Sequence, residues 1–231
     1  MIEDPPLLTI RGDFPRPPPA HLASLAGVQT DFVADAMGGR GGLDHRIKPL
    51  VPLTAPLVGT AMTCHCGPAD NLALFGALAW AQPGDILVAA TDGFMGTAVA
   101  GDLLLGMARN RGLAGLVTDG LARDLAGIVA VGLPVFCAGL SPNSPARNGP
   151  GTVGMAVVLG GVRVESGDIL VGDSDGIVVI PQSEAEAAIG RLAAVRAAEV
   201  ALETEVRSGL GVPSFITSIL ASNRVRKLGG D

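Results

Sequence analysis

Residues 118–124, TDGLARD, place two aspartates, an arginine and a glycine directly after the apolar run GLAGLV. Such a run reads as a buried strand, and the charges that follow it either solvate a turn or hold something between them. If the strand belongs to a parallel sheet, residues 119–124 stand at its carboxyl edge, where open α/β sheets bind ligands. Upstream, GDLLLG (101–106) opens a helix. Its first amides, at Leu103 and Leu104, have no intrahelical acceptor. Free amides at the positive end of a helix dipole suit a carboxylate or a phosphate. In a βαβ unit that helix start reaches the same sheet edge, so Asp102, the amides after it, Arg123 and Asp124 are expected to converge. An arginine fork grips a carboxylate through two hydrogen bonds. Two aspartates suit a hard cation such as Mg2+, which takes few carboxylates and keeps several waters. A carboxylate site beside a Mg2+ site describes a binder of 2-oxo acids, with the cation polarising the keto oxygen and stabilising an enolate. The blander alternative is a polar loop in which Asp119 caps the next helix.

The elements that must position these residues follow from periodicity. HLASLAGVQTDFVADAMGG (21–39) has helical spacing and ends at glycines. PLVGTAMTCHC (56–66) alternates as a strand, and DNLALFGALAWAQPG (70–84) is a helix between an Asp–Asn cap and a Pro–Gly stop. GDILVAAT (84–91), LAGLVTDG (113–120) and LPVFCAGL (133–140) are strands, separated by helices over 101–112 and 124–132. That alternation predicts a parallel sheet covered on both faces. Residues 154–181 hold short strands with Gly-rich turns and read as antiparallel sheet, and 183–209 reads as a long helix opened by a Ser183/Glu186 capping box. The expected organisation is an arm over 1–20, one domain over 21–209 that includes the helix 183–208, and a tail over 210–231. The RPPPA stretch in the arm favours polyproline geometry.

Composition narrows the class. Apolar residues are 48% and charged residues 16% of the 231, with 33 glycines and no tyrosine, so small residues fill the core and backbones approach closely. The net charge of −6 and the absence of basic or aromatic clusters argue against nucleic acid as a partner. The apolar stretches are broken by Gly and Pro well short of a membrane span. Three cysteines cannot complete a disulfide framework, so a reducing cytoplasm is the expected compartment.

Asp102, then twenty residues, then Arg123–Asp124, together with the block RGLAGLVTDGLARD, form a specific pattern. With DFVADAMGG, RIKPL, GTAMTC, DNLAL, PGDILV, GLPVF and GGVRVESGDILVGDSDGIVVIP, it resembles the class II pyruvate aldolases of the RraA-like family, the 4-hydroxy-4-methyl-2-oxoglutarate aldolases, over roughly residues 28–182. The resemblance implies an α/β fold, an αββα sandwich with a mixed sheet, assembled as homotrimers or homohexamers with active sites between subunits. It implies that Arg123 binds the substrate carboxylate and helps stabilise the enolate, that Asp124 holds Mg2+ or Mn2+, and that Asp102 orients a metal-bound water. It places the pyruvyl carboxylate on amides near Gly101, Leu103 and Leu104. Glu199 stands ten residues before Gly209, a spacing similar to that of a family glutamate that reaches a neighbour's active site. The implied reaction is cleavage of a 4-hydroxy-2-oxo diacid to pyruvate and a second 2-oxo acid, with oxaloacetate decarboxylation as a side activity. The rival reading is a non-enzymatic RraA-type regulator that binds a ribonuclease. The family pattern implies that such regulators lack the aspartate found here at Asp102. No Rossmann glycine fingerprint follows a first strand, so the family's older methyltransferase label finds no cofactor site.

Other clusters read as structural. In CHC (64–66), strand alternation puts Cys64 and Cys66 on one face and His65 on the other. DSDG (173–176) lacks the downstream glutamate of a calcium loop and reads as a hairpin turn. Asp70–Asn71 reads as a helix cap, RIKPL as a solvated loop, and the glutamates 199, 203 and 205 as a solvated helix face.

Overall fold

The computed structural model describes residues 4–228. In chain order the elements are β1 (Leu8–Ile10), α1 (Pro19–Leu25), α2 (Thr30–Ala36), β2 (Lys48–Pro49), β3 (Leu57–His65), α3 (Leu72–Trp80), β4 (Asp85–Ala90), β5 (Ala98–Ala100), α4 (Asp102–Asn110), β6 (Gly115–Thr118), β7 (Leu121–Ala122), α5 (Leu125–Val131), β8 (Val135–Cys137), β9 (Gly139–Leu140), β10 (Gly151–Val153), β11 (Val157–Leu159), β12 (Val162–Val164), β13 (Ile169–Asp173), β14 (Gly176–Ile180), α6 (Ala185–Arg207) and α7 (Ser214–Leu220). The chain divides into two compact units, residues 1–192 and 193–231.

In the first unit β3, β4, β6 and β8 run parallel in that order, the arrangement that the strand–helix alternation predicts. Strands β10 and β13 both pair with β3 in the antiparallel sense, which makes the sheet mixed. Alternate residues of the parallel strands serve two cores. Met62, Leu87 and Leu116 face Leu74, Leu104, Leu105 and Ile128 of the helices α3, α4 and α5. Ala61, Ile86, Val88 and Val117 face Val157, Leu159, Leu170 and Val179 of the hairpins β11–β12 and β13–β14. Helix α2 lies against β13 and β14. The layers are therefore helix, sheet, sheet, helix, an αββα sandwich.

Several local expectations change. The single helix over 21–39 is two, α1 and α2, because Gly27 adopts a left-handed φ of +72° between them. The capping box does not form: Gln182–Glu184 is a 3-10 turn, and Asp168 Oδ1 accepts the Gln182 amide at 3.0 Å. Within 1–20, β1 joins the main sheet parallel to β10, and Arg16 clamps the buried Asp85 through bonds of 2.6 and 2.9 Å. DSDG is the turn of the β13–β14 hairpin, and Asp173 also accepts the Thr30 amide at 2.8 Å. Among the described residues no helix is long and apolar enough to cross a membrane.

In the second unit the later turns of α6 and all of α7 bury no residue. Glu199 lies there on α6, exposed.

Candidate active site

Strands β4, β6 and β8 are each followed by a short extension, β5, β7 and β9, and the first two of these lead into α4 and α5. Strands β5, β7 and β9 form a second, three-stranded parallel sheet. This small sheet, rather than the end of the main one, sets the positions of the α4 and α5 N-termini. The Arg123 amide donates to the Ala100 carbonyl at 3.0 Å, which fixes the start of α5 beside the start of α4. TDGLARD thus splits its charges. Asp119 accepts hydrogen bonds from the Thr91 amide (2.7 Å), the Thr91 hydroxyl (3.0 Å) and the Gly93 amide (2.9 Å). It braces the loop after β4 and caps no helix. Arg123 and Asp124 go elsewhere.

They line a cavity of about 390 Å³ together with Gly101, Asp102, Leu103 and Leu104. The five positions expected to converge with Arg123 are therefore gathered around one space. Arg123 Nε lies 3.2 Å from Asp124 Oδ2, and Arg123 Nη1 donates to the Ser144 hydroxyl. Asp124 sits at φ +62°, ψ +46°, left-handed although it is not glycine. Such a conformation costs on the order of 1 kcal/mol and persists where surroundings over-determine it. Here the turn points the carboxylate back at Arg123 and at Gly101, where a β-carbon would stand 2.5 Å from Asp124 Oδ2. The Leu103 amide is not free: it donates to Asp102 Oδ1 at 2.7 Å. Leu103 itself is 77% exposed at the cavity rim.

Asp102 and Asp124 place two carboxylates on one cavity, where they could hold a cation, and among the described residues no larger group of His, Cys, Asp or Glu is gathered as a metal cage. Two carboxylates fit a cation that keeps most of its waters, as Mg2+ does, and fit zinc or calcium poorly.

Sequence reasoning missed the far wall. Asn71, Phe75, Ser144 and Arg147 line the same cavity. The Asp70–Asn71 pair caps α3 as expected, but through Asp70 alone, whose Oδ1 accepts the Leu72 amide at 2.8 Å; Asn71 makes no capping bond. Two cap-type residues where one suffices was the available signal. Elsewhere, Cys64 and Cys66 pack into the helix-side core with their sulfurs 3.9 Å apart, and His65 turns away to Asp92 at 3.0 Å. The hydrogen bond with the neighbouring Cys66 sulfur, and then burial, push the Cys64 thiol well above its ordinary value, as befits a packed residue. Arg46 of RIKPL is taken by Asp44 at 2.9 Å.

The RraA-like family, described as aldolase/RraA, matches residues 30–179. The chain belongs to this family. A relative from Halalkalibacterium halodurans, provisionally named 4-hydroxy-4-methyl-2-oxoglutarate aldolase, is 37% identical over 165 residues, 71% of this chain and 78% of its own. Among solved structures, an uncharacterized protein from Pseudomonas syringae pv. tomato superposes with a TM-score of 0.74 at 26% identity, covering 85% of this chain and 96% of that one. Streptomyces coelicolor RraAS2, described as an unusual member of the RNase ES inhibitor RraA family, gives 0.71 at 28% identity over 86% of this chain and 100% of its own. The fold is thus shared by members named for lyase chemistry and by members named for ribonuclease inhibition.

Proposed function

We propose that this chain is a divalent-metal-dependent carbon–carbon lyase that splits a 4-hydroxy-2-oxo diacid, such as 4-hydroxy-4-methyl-2-oxoglutarate, into pyruvate and a second 2-oxo acid. The observation that carries the reading is the meeting of Arg123, Asp124, Asp102 and the α4 N-terminus on one cavity. Asp124 and Asp102 would hold Mg2+ or Mn2+, which when bound supplies a Lewis acid for the oxo group. Arg123 orients the pyruvyl end and offers a fixed positive charge where negative charge gathers on the oxo oxygen as the C–C bond breaks. Its fork is preorganised by Asp124 and Ser144, so little rotamer freedom is lost on binding. Asp102, at the rim of the same cavity, would orient a water for the acid–base steps. Oxaloacetate would decarboxylate through the same enolate. Glu199 of a neighbouring copy, in a trimer or hexamer, would complete the site.

The test is pyruvate release from 4-hydroxy-4-methyl-2-oxoglutarate and from oxaloacetate by the full chain. Activity should vanish after dialysis against EDTA and return with Mg2+ or Mn2+. Full activity in excess chelator would remove the metal from the reading. The likeness to RraAS2 supports a second reading, ribonuclease binding without catalysis. Absence of pyruvate release from every diacid, with inhibition of a ribonuclease, would favour it.

A further inference from the structure

Asn71 is 5% exposed, and its Oδ1 is buried without any hydrogen-bond partner. Such an orphan acceptor is costly, of order 1–3 kcal/mol, unless something supplies it a donor. The amide cannot simply turn over. Its Nδ2 donates to the Val99 carbonyl at 2.9 Å, and a flip would set Oδ1 against that carbonyl. With Nδ2 anchored on Val99, the unsatisfied group of Asn71, a residue that lines the cavity, is the Oδ1 acceptor.

Arg147 is held next to it by the backbone. The residues on either side are pinned to the same corner: the Asn71 amide donates to the Ala146 carbonyl at 3.0 Å, the Ala146 amide to the Ala69 carbonyl at 2.7 Å, and the Asn148 amide to Asp70 Oδ2 at 2.6 Å. The Arg147 guanidinium lies 4.9 Å from the centroid of the Phe75 ring, one helical turn after Asn71. This cation–π contact holds the guanidinium against the ring and leaves N–H donors for a ligand. Among the described residues that side chain has no protein acceptor.

The cavity thus has two poles. One is Arg123 with the two aspartates; the other pairs a donor-only cation with an acceptor-only oxygen. A plain carboxylate would satisfy Arg147 and set its own oxygens against Asn71 Oδ1. A carboxylate whose neighbouring carbon carries a hydroxyl satisfies both, because the hydroxyl donates to Asn71. We infer that Asn71 and Arg147 are specificity-determining residues that recognise the 2-hydroxy-carboxylate end of a dicarboxylic ligand. Their role in turnover rests on the lyase reading, since carbon 4 and the distal carboxylate of a 4-hydroxy-2-oxo diacid form such an end; their role in binding does not.

Calorimetry with malate and succinate separates the two. Neither carries an oxo group, so neither is cleaved, and they differ only by the hydroxyl. The full chain in Mg2+ buffer should bind malate about tenfold more tightly than succinate, the scale of one good hydrogen bond to a buried acceptor. Arg147→Met, at an exposed position, should weaken both ligands about tenfold. Asn71→Ala should bring malate down to succinate. That variant strands the Val99 carbonyl and risks misfolding, so the comparison on the parent chain stands as the primary measurement. Equal affinities for the parent, or no malate binding, would overturn the inference. A folded Asn71→Ala that keeps the preference would overturn it too. A parent that prefers malate but releases pyruvate from no diacid retains this recognition pole and loses the lyase reading. A parent that cleaves diacids without the preference loses the pole alone.

Discussion

Asp102 and Gly127 share one space: a β-carbon on Gly127 would stand 2.6 Å from the Asp102 Cβ and would also collide with its Oδ2. The relation is reciprocal across the two helix starts, since Gly101 before α4 makes room for Asp124 in the same way. Two glycines let two aspartates approach from crossed helices. Replacing a glycine inside a helix by alanine ordinarily stabilises it by up to about 1 kcal/mol. At position 127 the opposite is expected. Gly127→Ala should lower the melting temperature and cut pyruvate release at least tenfold, because Asp102 must swing away from the cavity. Higher thermal stability with normal turnover would mean that Asp102 has no need of its present position.

Arg123 makes a planar fork that reaches Asp124 through Nε and Ser144 through Nη1. Lysine carries the charge without the plane. Arg123→Lys should therefore lose most of kcat/KM and Arg123→Ala more, above roughly 2 kcal/mol of transition-state stabilisation. Steady-state pyruvate release on folded variants decides it. Near-normal turnover in Arg123→Ala would leave the residue as a solvated turn.

The parallel run of the main sheet was legible because the apolar runs 84–91, 113–120 and 133–140 are long, regular and separated by helical spacing, whereas the αββα layering came from the family resemblance. The Asp102 to Arg123–Asp124 pattern was legible because both ends open helices. What escaped were features that no local period encodes. The extensions β5, β7 and β9 are two or three residues long. Arg147 belongs to a loop whose place is set by Asp70, seventy-eight residues before the Asn148 amide that it holds. The Asp119 bonds to Thr91 and Gly93 likewise join segments distant in sequence.

Asp168 ties the β13 start to its neighbours, accepting the Glu165 amide at 2.8 Å and the Gln182 amide at 3.0 Å while only 6% exposed. Burial, the largest influence, pushes its carboxyl above the ordinary value of 3.8. A carboxyl raised on folding holds its proton more tightly in the native state. Its contribution is then fully present below the unfolded value and is lost as pH rises through the folded one. An asparagine side chain at this position cannot titrate, so the melting temperature of Asp168→Asn relative to the parent should improve as pH rises from about 4 to 7. A difference that stays flat across that range would show that burial leaves this carboxyl unshifted.

Asp102 separates lyase from regulator. It opens α4, where a carboxylate is favourable to the helix whatever else it does. A purely structural role therefore allows Asp102→Asn to keep its stability and any activity, since asparagine retains the shape and can still accept the Leu103 amide. A role in proton transfer does not, because asparagine neither takes up a proton nor carries charge. Pyruvate release from 4-hydroxy-4-methyl-2-oxoglutarate should fall by about 10²-fold or more, the scale of a lost general acid–base contribution. The melting temperature should hardly move. A variant with parental turnover on every diacid that the parent cleaves would make Asp102 a helix-start residue only and remove the proposed acid–base group.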